Sequence, residues 1–242
     1  MLGKEGTESP RYSIIMNRLD ECKTEEETLK SNLQKLDIEL IELESQAIDA
    51  EVYRSNLRNF LESTGDRVVT VDTPVTADSG CVAGSDFIVS YGYRHILKKD
   101  LLDKFANRAI NLHISLLPWN RGADPNLWSI LEDTPRGVTI HFLDNGIDTG
   151  DIIAQRTVDC LSAVDTLKSS YERLTRAIEE LFMDVWPKLR VGDVEATHQA
   201  SGGSFHRSKD RVAFEHLLTK GWDTPVVELI GKAANVISDE GS

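Results

Sequence analysis

Residues 85–115, SDFIVSYGYRHILKKDLLDKFANRAINLHIS, contain the pattern that indicates the fold: a strand, a short helix and a second strand. The runs at 85–92 and 108–115 are rich in apolar and β-branched residues, whereas the KKDLLDKFA segment between them has helical composition. Short apolar strands that alternate with helices predict a mostly parallel sheet with crossover helices. Ligands bind such sheets beyond the carboxyl ends of the strands, which here are the loop at 91–97 and the segment at 111–118.

The flanking sequence extends this pattern in both directions. We predict strands in DRVVTVDTPV at 66–75 and GVTIHFLD at 137–144, and helices at about 125–131 and 163–189. The fold class is therefore predicted as α/β, a Rossmann-like, mostly parallel sheet flanked by helices, with a long N-terminal helix and a short C-terminal tail. The expected organisation is an N-terminal extension at 1–62, a catalytic domain at 63–192 and a tail with short helices at 193–242.

The N-terminal extension departs from the alternating pattern. Residues 19–62 contain no Gly or Pro and place apolar residues at alternating spacings of three and four, which predicts a long amphipathic helix. Self-association through a coiled coil and a single helix lying across the catalytic domain both fit this pattern. Tyr12–Met16 is a candidate first strand, although no glycine-rich turn follows it.

Composition excludes several classes of protein. The chain of 242 residues, with 40% hydrophobic residues, can bury one catalytic core plus an appendage. A net charge of -13 disfavours a nucleic-acid partner, because phosphate affinity depends on clustered Lys and Arg. The widely spaced Cys22, Cys81 and Cys160 indicate neither a disulfide framework nor a zinc site. We therefore expect no metal. No apolar run predicts a membrane span or a signal peptide, so we expect a cytoplasmic protein.

The candidate catalytic residues lie in the block at 111–155. Asn111 and His113 are separated by one residue, so on a strand their side chains leave the same face. Asp148 follows on a glycine-hinged loop. An amide, an imidazole and a carboxylate together can hold a carbonyl, stabilise its oxyanion and manage the protons of an attacking amine. Asp148 alone could equally be a loop-capping carboxylate in the GIDTGD turn.

Residues 86–105 and the block at 111–155 together resemble the 10-formyltetrahydrofolate-dependent formyltransferases, whose members act on glycinamide ribonucleotide, methionyl-tRNA and nucleotide sugars. The resemblance places Asn111, His113 and Asp148 on the catalytic Asn, His and Asp of that family, and Ser115–Pro118 on its Ser-Leu-Leu-Pro signature. Familiar members usually have Pro where this chain has Ile114. The resemblance implies that 10-formyltetrahydrofolate is the co-substrate and that a primary amine attacks its formyl carbon.

The same resemblance implies the folate-binding residues, which are Tyr93, His95, Ile96, Leu97, Asp144 and Ile147. The candidates for binding the amine substrate follow from the Asn-Arg-Gly turn after the catalytic strand, because Arg can bind a phosphate through two hydrogen bonds. They are Ser115, Asn120, Arg121 and Gly122, with Trp119, Arg207 and Lys209 as weaker candidates. Ile96 and Leu97 could also be simply core residues, and the Asn-Arg-Gly turn a solvated polar loop. His141 matches no catalytic position and is interpreted as structural.

In this interpretation His113 acts as an imidazolium whose pKa Asp148 raises. The predicted function is formyl transfer to the amine of a nucleotide-linked amino sugar, because the tail is too short for the larger C-terminal domain of the tRNA-modifying members. The alternatives are an enzyme like the glycinamide ribonucleotide or methionyl-tRNA formyltransferases, and a non-catalytic coiled-coil interaction protein with a degenerate formyltransferase domain. The expected partners are small molecules, with neither nucleic acid nor membrane, and a homodimer is left open.

Overall fold

The computed structural model describes residues 12–16, 52–158 and 162–233. Most of the long N-terminal helix predicted at 19–62 lies outside these residues, and the described part is the helix α1 at 52–63. The other helices are α2 (Lys99–Lys104), α3 (Pro125–Leu131) and α4 (Leu167–Leu189). No helix in the described part of the chain is long and apolar enough to cross a membrane.

The strands form one large and one small sheet. They are β1 (Tyr12–Met16), β2 (Arg67–Val71), β3 (Phe87–Tyr91), β4 (Ala109–His113), β5 (Arg121–Gly122), β6 (Gly137–Phe142), β7 (Ile152–Thr157) and β8 (Phe205–His206). The six-stranded sheet has the order β2-β1-β3-β4-β6-β7, while β5 and β8 pair separately. Strands β2, β1, β3 and β4 are parallel, and β6 and β7 add two antiparallel pairings. The predicted fold class is confirmed.

Strand β1 lies inside the large sheet, where it pairs with β2 on one side and β3 on the other. The candidate first strand is therefore present, and the sequence contains no glycine from there to Gly65. Strand β7 was not predicted, because its sequence IIAQRT has no long apolar run. In the structure its positions are only half-buried or exposed.

Helices cover both faces of the sheet. On one face, Leu57 and Leu61 of α1 and Phe182 of α4 pack with Ile110 and other strand residues. On the opposite face, Leu101 and Leu102 of α2 pack on Ile88 and Ala109. Successive residues at the starts of these strands, Phe87–Val89 of β3 and Ala109–Ile110 of β4, therefore point into two different cores, which explains why both faces are apolar there.

The C-terminal tail folds back towards the segment that follows β4. It contains 3-10 helices at Ser208–Leu217, Gly221–Asp223 and Val226–Glu228, where short helical pieces were predicted. Val226 and Leu229 are fully buried and pack on Leu127, Ile130 and Leu131 of α3. The β5–β8 pairing attaches residues 205–206 to the Asn-Arg-Gly turn. The domain boundaries proposed from the sequence remain a prediction.

Candidate active site

Strands β4 and β6 place three polar side chains on one face of the sheet. Ile110 and Leu112 point into the core beneath α4, so Asn111 and His113 project from the other face. The antiparallel register pairs Asn111 with His141 of β6. Residues directly opposite each other on antiparallel strands lie close enough to interact. His141 therefore lies beside Asn111.

A loop between β6 and β7 brings in Asp148. This residue has φ of 55°, in the left-handed region. One carboxylate oxygen, Oδ2, accepts a hydrogen bond from the backbone N–H of Gly122 at 2.8 Å. The side-chain amide of Gln199 donates to the carbonyl oxygens of Asp148 and Gly150, each at 2.8 Å. Two distant segments thus fix the position of the carboxylate.

The side chains of Asn111, His113 and Asp148 lie close together, and the His141 ring lies beside them. The Asn111 Nδ2 donates to Asp148 Oδ1 at 3.0 Å. His113 Nδ1 lies 3.7 Å from Asp148 Oδ2, and His141 Nε2 lies 3.5 Å from Oδ1. The side chains of His113, His141 and Asp148 are 7%, 1% and 11% exposed, so these interactions occur largely away from water.

The protonation of His113 follows from its surroundings. Burial has the largest effect and lowers the pKa of His113; Asp148 raises it, His141 lowers it, and the net pKa lies below the ordinary value. The expected imidazolium is thus disfavoured, because desolvation outweighs the nearby carboxylate. Nε2 lies 3.1 Å from the Asn120 carbonyl oxygen, which can only accept a hydrogen bond. The neutral ring therefore carries its proton on Nε2 and leaves Nδ1 as a base.

Asp148 is ionised in this setting. Burial alone would raise the pKa of its carboxyl, but interactions with His113 and His141 and the Gly122 hydrogen bond together lower that pKa well below the ordinary value. A negative charge is therefore held beside Nδ1 of His113, where it would stabilise the ring after it takes up a proton.

Both amide hydrogens of Asn111 have acceptors in this arrangement. One is directed to Asp148, and the other faces His141 Nε2 at 3.3 Å. His141 Nδ1 faces the carbonyl oxygen of Phe142 at 2.8 Å, and the tautomer that donates to this oxygen leaves Nε2 as an acceptor for Asn111. To donate to a substrate oxygen, Asn111 must give up one of these two contacts.

The structure turns Ser115 and Asn120 towards the protein interior. Ser115 is 2% exposed and donates to the Trp119 carbonyl oxygen at 2.7 Å. Asn120 is fully buried, and its side chain bonds with Thr134 and Ser204. Through these hydrogen bonds, Ser115 and Asn120 hold the turn at 115–120, whose Asn120 carbonyl oxygen contacts His113. Their predicted direct contact with a substrate would require those hydrogen bonds to break.

Arg121 and Gly122 lie on the strand β5, next to the converging residues. Gly122 has φ of 89°, and a Cβ there would clash with the His206 carbonyl oxygen. The glycine thus permits the close approach that aims its N–H at Asp148. The Nε of Arg121 is buried and makes no hydrogen bond to any residue that the structure describes.

The candidate folate residues occupy two loops. Ile96 and Ile147 are 77% and 47% exposed, whereas Leu97 is buried. Tyr93 contacts the His95 ring edge-on and donates its hydroxyl to the Thr73 carbonyl oxygen. Asp144 closes its own loop, accepting hydrogen bonds from Gly146 N–H and the Thr149 hydroxyl. The backbone N–H groups of residues 95–97 form no hydrogen bond with other described residues.

Two residues at this site were missed from the sequence. His141 was interpreted as structural, yet it contacts both Asn111 and Asp148; an antiparallel pairing of β4 with β6 would have indicated its position. Gln199 had no local signal, because its role depends on a contact with a loop about 50 residues earlier in the chain. Within the described ranges, no group of three His, Cys, Asp or Glu residues is arranged to hold a metal ion.

Comparison with known proteins gives consistent results. Residues 69–186 match a family model described as formyl transferase. The formyltransferase PseJ from Anoxybacillus kamchatkensis, solved with UDP-4,6-dideoxy-4-formamido-L-AltNAc and tetrahydrofolate, is 44% identical. The similarity covers 92% of this chain and 99% of that one, with a TM-score of 0.75.

Two further relatives are more distant. A methionyl-tRNA formyltransferase from Agathobacter rectalis is 34% identical over 146 residues, which are 60% of this chain and 46% of that protein. The chain thus matches less than half the length of this relative. A 4-N formyltransferase from Francisella tularensis, 19% identical over 84% of this chain and 78% of that one, shares the fold with a TM-score of 0.63.

Proposed function

We propose that this chain, which belongs to the formyl transferase family, transfers a formyl group from 10-formyltetrahydrofolate to the primary amine of a nucleotide-linked amino sugar. The observation that carries the proposal is the buried convergence of Asn111, His113 and Asp148 at the end of β4. The similarity to PseJ over almost its full length supports a sugar as the acceptor.

His113 acts as the general base in this reaction. Its neutral ring, held by the Asn120 carbonyl oxygen, presents Nδ1 to the incoming amine. The amine nitrogen bonds to the formyl carbon and loses one proton to His113. As the bond from that carbon to the folate nitrogen breaks, His113 gives the same proton to the folate nitrogen and returns to its neutral form. Asp148 stabilises the imidazolium that forms.

Asn111 stabilises the charge that develops on the formyl oxygen. One of its N–H groups turns from His141 to that oxygen, while the other stays on Asp148. His141 accepts from Asn111 before the reaction and so holds the amide in place. A donor of this kind is worth about 10² to 10³ in rate.

The folate lies against the loops at 91–97 and 144–148. It supplies the activated formyl group. The exposed Ile96 and Ile147 offer apolar surface, and the unpaired N–H groups of residues 95–97 offer donors to a flat heterocycle. Arg121, whose buried Nε lacks a partner among the described residues, is the candidate for an anionic group of the amine substrate.

A direct assay tests the proposal. The full chain is incubated with ¹³C-formyl-labelled 10-formyltetrahydrofolate and, in turn, a UDP-amino sugar, a dTDP-amino sugar, glycinamide ribonucleotide and methionyl-tRNA. Mass spectrometry is expected to find the label in a sugar formamide, at a kcat/KM at least about tenfold above the other amines.

Each other outcome overturns part of the proposal. Methionyl-tRNA is the second candidate, favoured by the 34% identity to a methionyl-tRNA formyltransferase, and preferred transfer to it would refute the sugar acceptor. Preferred transfer to glycinamide ribonucleotide would do the same. A folded protein that neither binds a folate analogue nor transfers the formyl group would refute the enzyme and support the interaction protein.

A further inference from the structure

A buried pair of polar side chains lies outside the candidate active site and takes no part in the proposed chemistry. Glu132 follows α3 directly, and His206 stands on β8. Their side chains are 4% and 11% exposed, and Glu132 Oε1 lies 3.0 Å from His206 Nε2. We propose that Glu132 is a positioning residue, which acts through His206 and the tail to hold His113 and Asp148 in their reactive arrangement. As a statement about catalysis, this inference rests on the proposed function.

The carboxylate of Glu132 depends on the His206 ring. Within the described ranges neither carboxylate oxygen has a well-aligned hydrogen-bond donor, so the short contact with the ring is electrostatic rather than a straight hydrogen bond. The neighbouring Arg136 pairs with Asp133 instead. Removing one partner of a buried pair leaves the other charge uncompensated, which is strongly destabilising. The tail therefore cannot slide along α3 without leaving this carboxylate unpaired.

The His206 ring is held at its face as well as at its edge. It stacks on Trp128 of α3, with ring centroids 3.8 Å apart and an interplanar angle of 7°. Phe214 in turn contacts Trp128 edge-on. Stacking alone lets a ring slide or turn in its own plane, because the apolar contact then changes little. The contact of Nε2 with Glu132 removes this freedom and fixes where the tail lies.

The backbone of His206 continues the connection to Asp148. Its carbonyl oxygen accepts a hydrogen bond from the Ala123 N–H at 2.9 Å, and a Cβ at Gly122 would clash with the same oxygen. The Gly122 N–H in turn donates to Asp148 Oδ2 at 2.8 Å. Strand β8 has only two residues and few backbone hydrogen bonds, so the His206 side chain sets its position. A displaced β8 would move Gly122 and, with it, Asp148.

The same tail segment also holds His113. Ser204 Oγ accepts a hydrogen bond from the Asn120 N–H at 3.0 Å and donates to Asn120 Oδ1 at 3.1 Å. The Asn120 carbonyl oxygen lies 3.1 Å from His113 Nε2. Residues 204–206 therefore support the partners of both ring nitrogens of His113, the Asn120 carbonyl oxygen at Nε2 and the Asp148 carboxylate at Nδ1.

The pKa of His113 reports on this arrangement. Asp148 and the Asn120 hydrogen bond both raise the pKa of His113, whereas burial and the facing His141 lower it. When the tail segment moves and either supporting contact lengthens, that pKa falls. A residue that merely stabilises the fold would lower the free energy of unfolding and leave the pKa of His113 unchanged.

NMR titration of the histidine rings in the full chain tests the inference without an activity assay. Glu132→Gln keeps the shape and removes the charge, and His206→Phe keeps a ring against Trp128 and removes Nε2. In both variants the His113 titration midpoint should move to lower pH by about 0.5 or more. A direct long-range effect of the lost Glu132 charge would lower the midpoint in Glu132→Gln alone, so the shared direction identifies displacement.

The matched controls are Asp133→Asn and His198→Phe. Asp133 adjoins Glu132 but is exposed, and His198 pairs with a carboxylate at the surface, at 2.9 Å. Both controls should keep the wild-type midpoint of His113. Midpoints that are unchanged in Glu132→Gln and His206→Phe would refute the inference, even where thermal unfolding shows that both variants have lost stability.

The formyl-transfer assay, run well below the unfolding temperature of each variant, separates this inference from the proposed function. Glu132→Gln and His206→Phe should lower kcat about tenfold and change KM for the amine less than about threefold. If wild type transfers the formyl group and both variants match its kcat and its His113 midpoint, the positioning role is refuted and the proposed function stands. Shifted midpoints without formyl transfer by wild type would refute only the proposed function.

Discussion

The candidate site has a side built on strands and a side built on loops. Asn111, His113 and His141 stand on β4 and β6, with apolar neighbours buried beneath them in the main core. Asp148, by contrast, stands on a loop whose position depends on Gly122 and on Gln199 of the tail. One side is therefore held by the core of the sheet, whereas the other is held by a few long-range hydrogen bonds.

The strand side should give the largest loss of activity. We expect His113→Ala to lower kcat/KM about 10³-fold, because it removes the base from a position that no other side chain can take. A folate-analogue titration should show nearly unchanged affinity. The exposed His198→Ala is the matched control and should retain full activity. Full activity in His113→Ala would remove this ring from the mechanism.

On the loop side, Asp148→Asn should cost about 10² in kcat/KM, since the shape is kept and the charge is lost. Asp148 raises the pKa of His113, so without its charge that pKa falls further. Activity is lost at low pH as His113 becomes protonated. The acid limb of the kcat/KM profile should therefore move to lower pH in the variant, and a shift to higher pH would contradict this assignment.

The support of the loop side can be tested with two glycines. Gly122→Ala and Gly192→Ala both place a side chain at positive φ, 89° and 76°, which should lower the free energy of unfolding by about 1 to 3 kcal/mol in Gly192→Ala and by more in Gly122→Ala, whose Cβ also clashes. Only Gly122 faces a neighbouring carbonyl oxygen, whereas Gly192 has open space. We expect a roughly tenfold activity loss for Gly122→Ala alone. Equal activities in the two variants would show that the Gly122 contact is dispensable.

A smaller effect is expected from the tail. Gln199→Ala removes two hydrogen bonds to the Asp148 loop and should reduce kcat by about three- to tenfold. Amide hydrogen exchange at residues 144–150 should become faster, while exchange in β4 stays the same. The exposed neighbour Glu195→Gln serves as the control. Slower or unchanged exchange in the loop would mean that the tail does not hold it.

Beneath the strand side, Glu179 should affect stability but not catalysis. Burial raises the pKa of Glu179 to about 7, and Tyr91 donates its hydroxyl to it. Between the ordinary pKa and pH 7 the unfolded chain loses this proton first, so stability falls as pH rises. Glu179→Gln should remove that fall, a gain of at most about 3 kcal/mol at pH 8.

Urea unfolding at several pH values measures this effect, with Glu180→Gln, an exposed neighbour, as the control. Parallel pH curves for wild type and Glu179→Gln would contradict the raised pKa.

The contrast between local strand patterns and long-range contacts also explains what the sequence could predict. The local apolar periodicity of β3, α2 and β4 was sufficient for the fold class, and Pro125–Leu131 forms a helix where one was predicted. The pairing of β4 with β6, however, is antiparallel, and local periodicity does not encode strand direction. The position of His141 beside Asn111 and Asp148 could therefore not be predicted.

Long-range contacts limited the prediction of the site in the same way. Ser204 reaches Asn120 across 84 positions of sequence, and Gln199 reaches Asp148 across 51. The protonation of His113 depends on how deeply the folded chain buries it. The residue types and their order were visible in the sequence, whereas partners and desolvation arise only from the packed structure.

The place of β1 has a consequence for any shortened version of the protein. Because β1 pairs on both sides, deleting residues 12–16 would open a gap between β2 and β3 rather than trim a margin. Two rows of backbone donors and acceptors would then face each other across that gap, ready to recruit strands from other molecules. Expression trials that retain the chain from before Tyr12 should give monodisperse material, and those that begin after Met16 should aggregate.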